Sequence, residues 1–224
     1  MPHVRALARG ELSQFEPFFE VAEQMMGGFV PSSLFTMGHR PEILQAFMIL
    51  AGTINGPGTV ESGLKQLVAY VASNAAGCRY CQAHTSTHAA HAGVAADKIE
   101  HAFEFETHAA FADAERAALR LARDSALQPN LVTAEHFAEL RRHFDEPQIV
   151  ELVAVSALFG FLNRWNDTMA TELEAVPRRS RSSTSSPPAG RSASTAERGA
   201  PFFEPEMHGP RMRGARIRGT TRTC

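Results

Sequence analysis

The sequence predicts an all-α protein followed by a disordered C-terminal tail, and three observations predict it. Apolar residues recur at helical spacing from residue 11 to residue 174, and no segment alternates as a strand would. Gly, Pro and Ser punctuate that periodicity at intervals suited to short helix connections. After Val176 the composition changes abruptly, to Arg, Ser, Pro and Gly with few large apolar residues. The division that follows is a helical domain over 1–176 and a tail over 177–224.

The first helix is expected over 11–26, with Leu12, Phe15, Phe19 and Ala22 near one face. Pro31-Ser32-Ser33 breaks it, and Ser33 can cap a short turn through Met37. Pro41 stands where an N1 proline belongs and opens a helix over 41–51. Asn55-Gly56-Pro57-Gly58 is a loop. Thr59 can cap the next helix, to residue 76, in which Leu64, Leu67, Val68 and Val71 follow the i, i+3, i+4, i+7 pattern. Gly77 ends it, Cys78 opens a helix to residue 91, and Gly93 stops that one. Further helices fit 96–106, 113–125, 133–144 and 146–173. The last is apolar on almost every face, from Ile149 to Trp165, which places it in a core or a subunit interface.

The charge of the whole chain, −2, conceals an asymmetry. Residues 1–177 carry 12 Lys/Arg against 21 Asp/Glu, a net of −9, whereas residues 178–224 carry 10 Arg against 3 Glu, a net of +7. An acidic helical domain has no nucleic-acid footprint. The N-terminal residues lack a signal-peptide apolar core, and the longest apolar run, interrupted by Glu151, is too short for a bilayer. Two close cysteines and a third at the C-terminus make no secreted disulfide framework. These points predict a cytoplasmic protein with neither a membrane nor a nucleic acid as partner.

Chemistry concentrates in Gly77-Cys78-Arg79-Tyr80-Cys81-Gln82-Ala83-His84. On a helix starting at Cys78, the side chains of Cys78, Cys81, His84 and His88 fall within about 120° of one another and form one stripe. Free N–H groups and the dipole at a helix start favour a thiolate. Helix position makes Cys78 the more acidic thiol, while closeness to His84 gives Cys81 an acid/base partner; spacing leaves both readings open. Cys-x2-Cys-x2-His-x3-His is also a possible zinc set. Yet four ligands on one continuous helix do not close a tetrahedron, so no metal or other cofactor is expected. His101, His108, His136 and His143 are expected on solvated faces, and His39 in a turn.

From Gly77 to His84 the residues resemble the reactive motif of the AhpD-like, carboxymuconolactone decarboxylase superfamily. The preceding helix from Gly63 to Ser73 and the lead-in Leu34-Phe35-Thr36-Met37-Gly38-His39-Arg40-Pro41-Glu42 are similar as well, and the likeness spans roughly residues 20–175. The resemblance implies an AhpD-like helical bundle, homo-oligomers and a thiol-dependent peroxidase. It implies that Cys81 attacks the peroxide, that Cys78 resolves the sulfenic acid into a disulfide, and that His84 moves the proton, with an external thiol or dithiol as reductant. Two positions depart from the peroxidase branch. Its upstream glutamate is here Gln66, and its histidine falls at Thr85, so that His84 is one residue early. Glu61 is the nearest upstream acid. The alternatives are a lactone decarboxylase or isomerase, whose branch does not use the cysteine pair catalytically, and a non-enzymatic redox sensor or binding module.

Overall fold

The structure is a computed structural model that describes residues 2–174; the tail expected over 177–224 and the domain boundary at 176 lie outside the described residues. Nine α-helices and an N-terminal 3-10 turn make up the described regular structure, with no strand among them. This is the all-α class the periodicity predicts.

The N-terminal part departs from a single helix over 11–26. Residues Arg9–Phe15 form a 3-10 turn in which Leu12 leaves helical geometry at φ −122°, ψ 31°. Helix α1, Glu16–Met25, follows, with Pro17 in its first turn. The break lets Leu12, Phe15 and Phe19 all point inward, against Val30, Leu34, Met37 and Leu44. Helix α2, Ser32–Met37, is one short turn, and α3, Pro41–Asn55, opens on its proline and runs four residues past the expected end.

Helix α4, Ser62–Ala75, is the central element. Its Leu67, Val68, Ala69 and Ala72 are buried against Leu119, Leu121 and Ala122 of α7, Asp113–Ala126, and against Leu152 and Val155 of α9, Glu146–Met169. Each large apolar side chain buried this way contributes ~1.5–3 kcal/mol relative to exposure. The cap of α4 is Glu61, whose Oε2 accepts the Leu64 N–H at 3.0 Å, and not Thr59. Thr59 donates its N–H and its hydroxyl to Glu151 Oε1, both at 2.7 Å.

That contact belongs to a buried clamp. Lys65 Nζ, its side chain 3% exposed, lies 2.8 Å from Glu151 Oε2 and donates to the carbonyls of Ile54 and Gly56 at 3.1 and 3.2 Å. The clamp ties the α3–α4 loop to α4 and α9.

Helix α5 is Arg79–His91, α6 Ala96–Glu100 and α8 Ala134–Leu140. The last two are shorter than expected, because 101–107 and 141–143 close into turns. At α8, Thr133 does find a cap partner: His136 Nδ1 accepts its N–H at 3.2 Å. His136 also reaches Asp124 at 2.8 Å and is half-buried, not solvated. Helix α9 stops at Met169, where Ala170 turns left-handed at φ 50°, and not at residue 173. Its Ile149, Leu152, Val155, Leu158 and Phe159 are buried, while Val150, Val153 and Phe161 remain exposed. No helix among the described residues is long and apolar enough to cross a membrane.

Candidate active site at the cysteine pair

The turn between α4 and α5 sets the site. Gly77 adopts φ +77°, which a side chain resists, and so ends α4 in one residue. The Cys78 N–H bonds to the Ser73 carbonyl at 3.1 Å and the Gly77 N–H to the Asn74 carbonyl at 2.9 Å, which satisfies the end of α4. Cys78 is at once the N-cap of α5. The two helices are therefore joined with no slack, and the stripe of α5 faces a cavity of about 760 Å³.

Of the predicted site residues, Cys81 and His84 line this cavity and Cys78 does not. Both sulfurs are buried, Cys78 at 0% and Cys81 at 2% exposure, and both are free thiols. The two thiols influence one another as acids. The neighbouring Cys81 thiol, ahead of the opposing cost of burial and the charge of Asp167, holds the Cys78 thiol below the ordinary range. Cys78 in turn pushes the Cys81 thiol up, and burial adds to it. Of the pair, Cys78 is the more acidic thiol. Asn166 Nδ2 from α9 donates to Cys81 Sγ at 3.4 Å.

His84 is held on every side. Its ring lies between Tyr80, at 4.2 Å between centroids, and Phe29, at 5.4 Å. Nδ1 is 2.9 Å from the Tyr80 carbonyl and Nε2 is 2.9 Å from Glu174 Oε2. Glu174 also accepts the Tyr80 hydroxyl at 2.7 Å and the Ser32 N–H. Burial pushes the Glu174 carboxyl up, but the bonds from His84, Ser32 and Tyr80 outweigh it and bring it down to about 2, so it is a carboxylate at neutral pH. Burial, then the Glu174 charge, pushes the Tyr80 hydroxyl up.

Glu174 is the residue at the site that the sequence does not point to. It stands 90 positions from His84 and beyond the last helix, whereas Glu61, the nearest upstream acid, is spent on the cap of α4. Gln66 does line the cavity, with its Oε1 buried and unpartnered. The register of the histidine has a local cause: Thr85 is fully buried and bonds back to the Cys81 carbonyl at 2.8 Å, so His84 is the ring that faces the cavity. His88, one turn on, lines it too. The rest of the wall is mostly apolar, with Phe18, Phe47, Leu158 and Phe159 from α1, α3 and α9, and includes Ser33, Thr53, Asn55 and His91. Asp97, His101 and His108 bring potential metal-ligand atoms within 4.8 Å of one another, and none of them lines the cavity.

A helical body with a close thiol pair, one thiol and an imidazole lining a mostly apolar cavity and a carboxylate behind the imidazole, defines the class of fold and site. Residues 41–124 match the model of the carboxymuconolactone decarboxylase family. The chain is 39% identical to the debrominase Bmp8 in its apo crystal structure, over 77% of this chain and 92% of that one, with a TM-score of 0.73. A cysteine-to-alanine variant of Bmp8 in complex with 2,3,4-tribromopyrrole gives 38% identity, 78% and 93% coverage and a TM-score of 0.74. The protein belongs to the AhpD-like, carboxymuconolactone decarboxylase superfamily. A peroxidase-related protein with an alkylhydroperoxidase AhpD core, from Ralstonia eutropha JMP134, is 20% identical over 78% of this chain and 93% of that one; its TM-score of 0.69 shares the fold alone. No curated protein matches the chain.

Proposed function

We propose that the protein is a two-thiol reductase that removes a halogen from a halogenated aromatic molecule. The observation that carries this reading is Cys81 exposed to a 760 Å³ apolar cavity, space for a ring and its substituents. The likeness to a debrominase over nearly its full length supports it.

Cys81 passes its proton to the Cys78 thiolate, leaving a thiolate at the cavity wall. Cys81 Sγ attacks the halogen. The sulfur–halogen bond forms, the carbon–halogen bond breaks with its electron pair on carbon, and His84, oriented by Glu174, supplies the proton that carbon takes up. Cys78, again as thiolate, attacks Cys81 Sγ and expels halide. One halide, one dehalogenated ring, one proton and one Cys78–Cys81 disulfide result. An external thiol or dithiol then reduces the disulfide by exchange.

Hydroperoxide reduction is the second reading. A buried thiol pair beside an acid/base group supports it, since sulfur attack on a peroxide oxygen needs the same residues and ends in the same disulfide. Reduced full-length protein supplied with dithiothreitol and either 2,3,4-tribromopyrrole or cumene hydroperoxide separates the two. Bromide released in proportion to thiol consumed is the expected result, and Cys81→Ser should bring it to background. Rapid peroxide turnover without bromide moves the assignment to the second reading. Disulfide formation with turnover of neither substrate would instead make the chain a redox sensor.

A further inference from the structure

We propose that Asp97, His101 and His108 form a surface site for a divalent transition-metal ion of the zinc class, which ties the end of α6 to the turn before α7. None of the three lines the thiol cavity. The proposal departs from the expectation, drawn from the cysteine motif, that no metal is held.

One ring nitrogen of each histidine and one carboxylate oxygen of Asp97 all lie within 4.8 Å of one another. Asp97 Oδ1 is 3.3 Å from His101 Nδ1 and 3.9 Å from His108 Nε2. Ligand atoms ~2.0–2.2 Å from a tetrahedral zinc ion stand about 3.3–3.6 Å apart, so small side-chain movements close the set. The two rings are stacked, 4.1 Å between centroids and 8° between planes, with an edge of each toward the same carboxylate. The ligands also come from two segments. Asp97 and His101 are one turn apart on α6 and its cap, and His108 returns from the far side of the 101–107 turn. The α5 stripe lacks such a second segment to close around an ion.

The backbone that carries these side chains is already held. The His101 N–H bonds to the Asp97 carbonyl at 3.1 Å, and the His108 N–H to the Glu104 carbonyl at 3.0 Å. From α7, Arg116 donates to the Phe105 and His108 carbonyls at 3.1 and 3.0 Å. Ala102 and Phe105, between the histidines, are buried, as is Phe111 beyond them. Binding therefore orders three side chains and not a loop, which keeps its entropic cost low.

Charge and donor type select the ion. The carboxylates of Asp97, Glu104 and Glu100 all act on the His101 ring and favour a positive charge beside it. Lys98, the one basic residue of α6, pairs with Glu115 at 2.6 Å. Calcium and magnesium take oxygen ligands, whereas two imidazole nitrogens with one carboxylate suit zinc and its neighbours. The side chains are 30% exposed at His101, 27% at His108 and 59% at Asp97, so the fourth position opens to water. Binding changes both tautomers. The proton that His101 Nδ1 donates to the Asp97 carbonyl at 2.9 Å moves to Nε2. The His108 proton moves from Nε2 to Nδ1, at the expense of the long 3.4 Å bond from the Ala110 N–H.

The experiment titrates zinc into reduced, chelator-stripped full-length protein by calorimetry. Wild type should bind zinc saturably, and His101→Ala and His108→Ala should each weaken that binding at least ~10-fold. Cys78→Ser, which breaks the other set of sulfur and histidine groups, should leave it intact. Zinc should raise the melting temperature in wild type and Cys78→Ser, and not in His101→Ala. Asp97→Asn removes one ligand charge at constant size and should weaken binding too, so the test does not hang on the folding of the histidine variants. With cobalt(II) in place of zinc, the first equivalent should show no thiolate charge-transfer band. Equal binding by wild type and both histidine variants would overturn the proposal. So would loss of binding in Cys78→Ser alone, a cobalt–thiolate band at the first equivalent, or no saturable binding at micromolar zinc.

Discussion

Two carboxylates from the C-terminal part of the chain each meet a cation-forming side chain inside the body, and the two pairs do different work. Glu151 meets Lys65, and Glu174 meets His84. Both carboxyls come down to about 2, Glu151 because Lys65 and the Thr59 groups bond to it. Lys65 spends its remaining donors on the Ile54 and Gly56 carbonyls, so the clamp is closed by backbone and holds three segments together. His84 sits at the cavity wall, beside Cys81, Gln66 and His88. The first pair joins segments at the edge of the body, with Glu151 24% exposed, and the second borders the cavity. Their cations differ too. Lysine sheds its proton only at high cost, whereas histidine can lose it near neutral pH.

That difference sets the size of the expected effects. Glu151→Gln leaves a buried lysine charge with only its two carbonyl partners and should cost about 1–3 kcal/mol of stability, read from urea denaturation, with turnover per folded molecule little changed. Replacing both ends, Lys65→Met with Glu151→Leu, should recover much of that loss. Glu174→Gln should do the reverse. The amide keeps a hydrogen-bond partner for His84 and Tyr80, so the melting temperature should move by only a few degrees, while turnover falls ~10²-fold or more through loss of the oriented acid. A large melting shift in Glu174→Gln with normal turnover would mean that both pairs are fastenings.

The pH dependence of stability sharpens the same contrast. Both carboxyls lie below their ordinary value of 4.5, so their contribution is full above that pH and is lost as pH falls toward about 2. His88 lies below its ordinary 6.5, at about 4, so in that window the unfolded chain takes up a proton that the folded one refuses. Stability should therefore fall from pH 6.5 to 4 through His88, and further below 4.5 through the two glutamates. Melting curves of His88→Leu should be flatter than wild type between pH 6.5 and 4. An unchanged slope there would mean that His88 is not held neutral by burial.

How far the sequence could be read follows from the range of each interaction. The apolar stripe of α4 and the proline opening α3 are local signals, and both predict the observed helices. The stripe of Cys81, His84 and His88 is local as well, and it faces one cavity. The 3-10 turn at Leu12 is not legible, because tertiary packing of Leu12, Phe15 and Phe19 overrides a passable helix pattern. Nor is the end of α9, which closes on a left-handed alanine in place of a glycine. That early end is what frees 171–174 to reach back across α5, so misreading the helix end and missing Glu174 are one error. An acid just past a long apolar helix, with Gln66 where the peroxidase branch places an acid, was the available signal.

The position of Glu174 has a consequence for how the protein comes into being. Every buried residue of the α4, α7 and α9 core precedes Met169, so a chain ending there holds the core and both thiols. It lacks the carboxylate that orients His84. During synthesis the acid at the site is therefore among the last described residues to arrive, after the scaffold it serves can already pack. A proteolytic cut between Ala170 and Glu174 would run that order backwards, removing the carboxylate while leaving every described helix uncut.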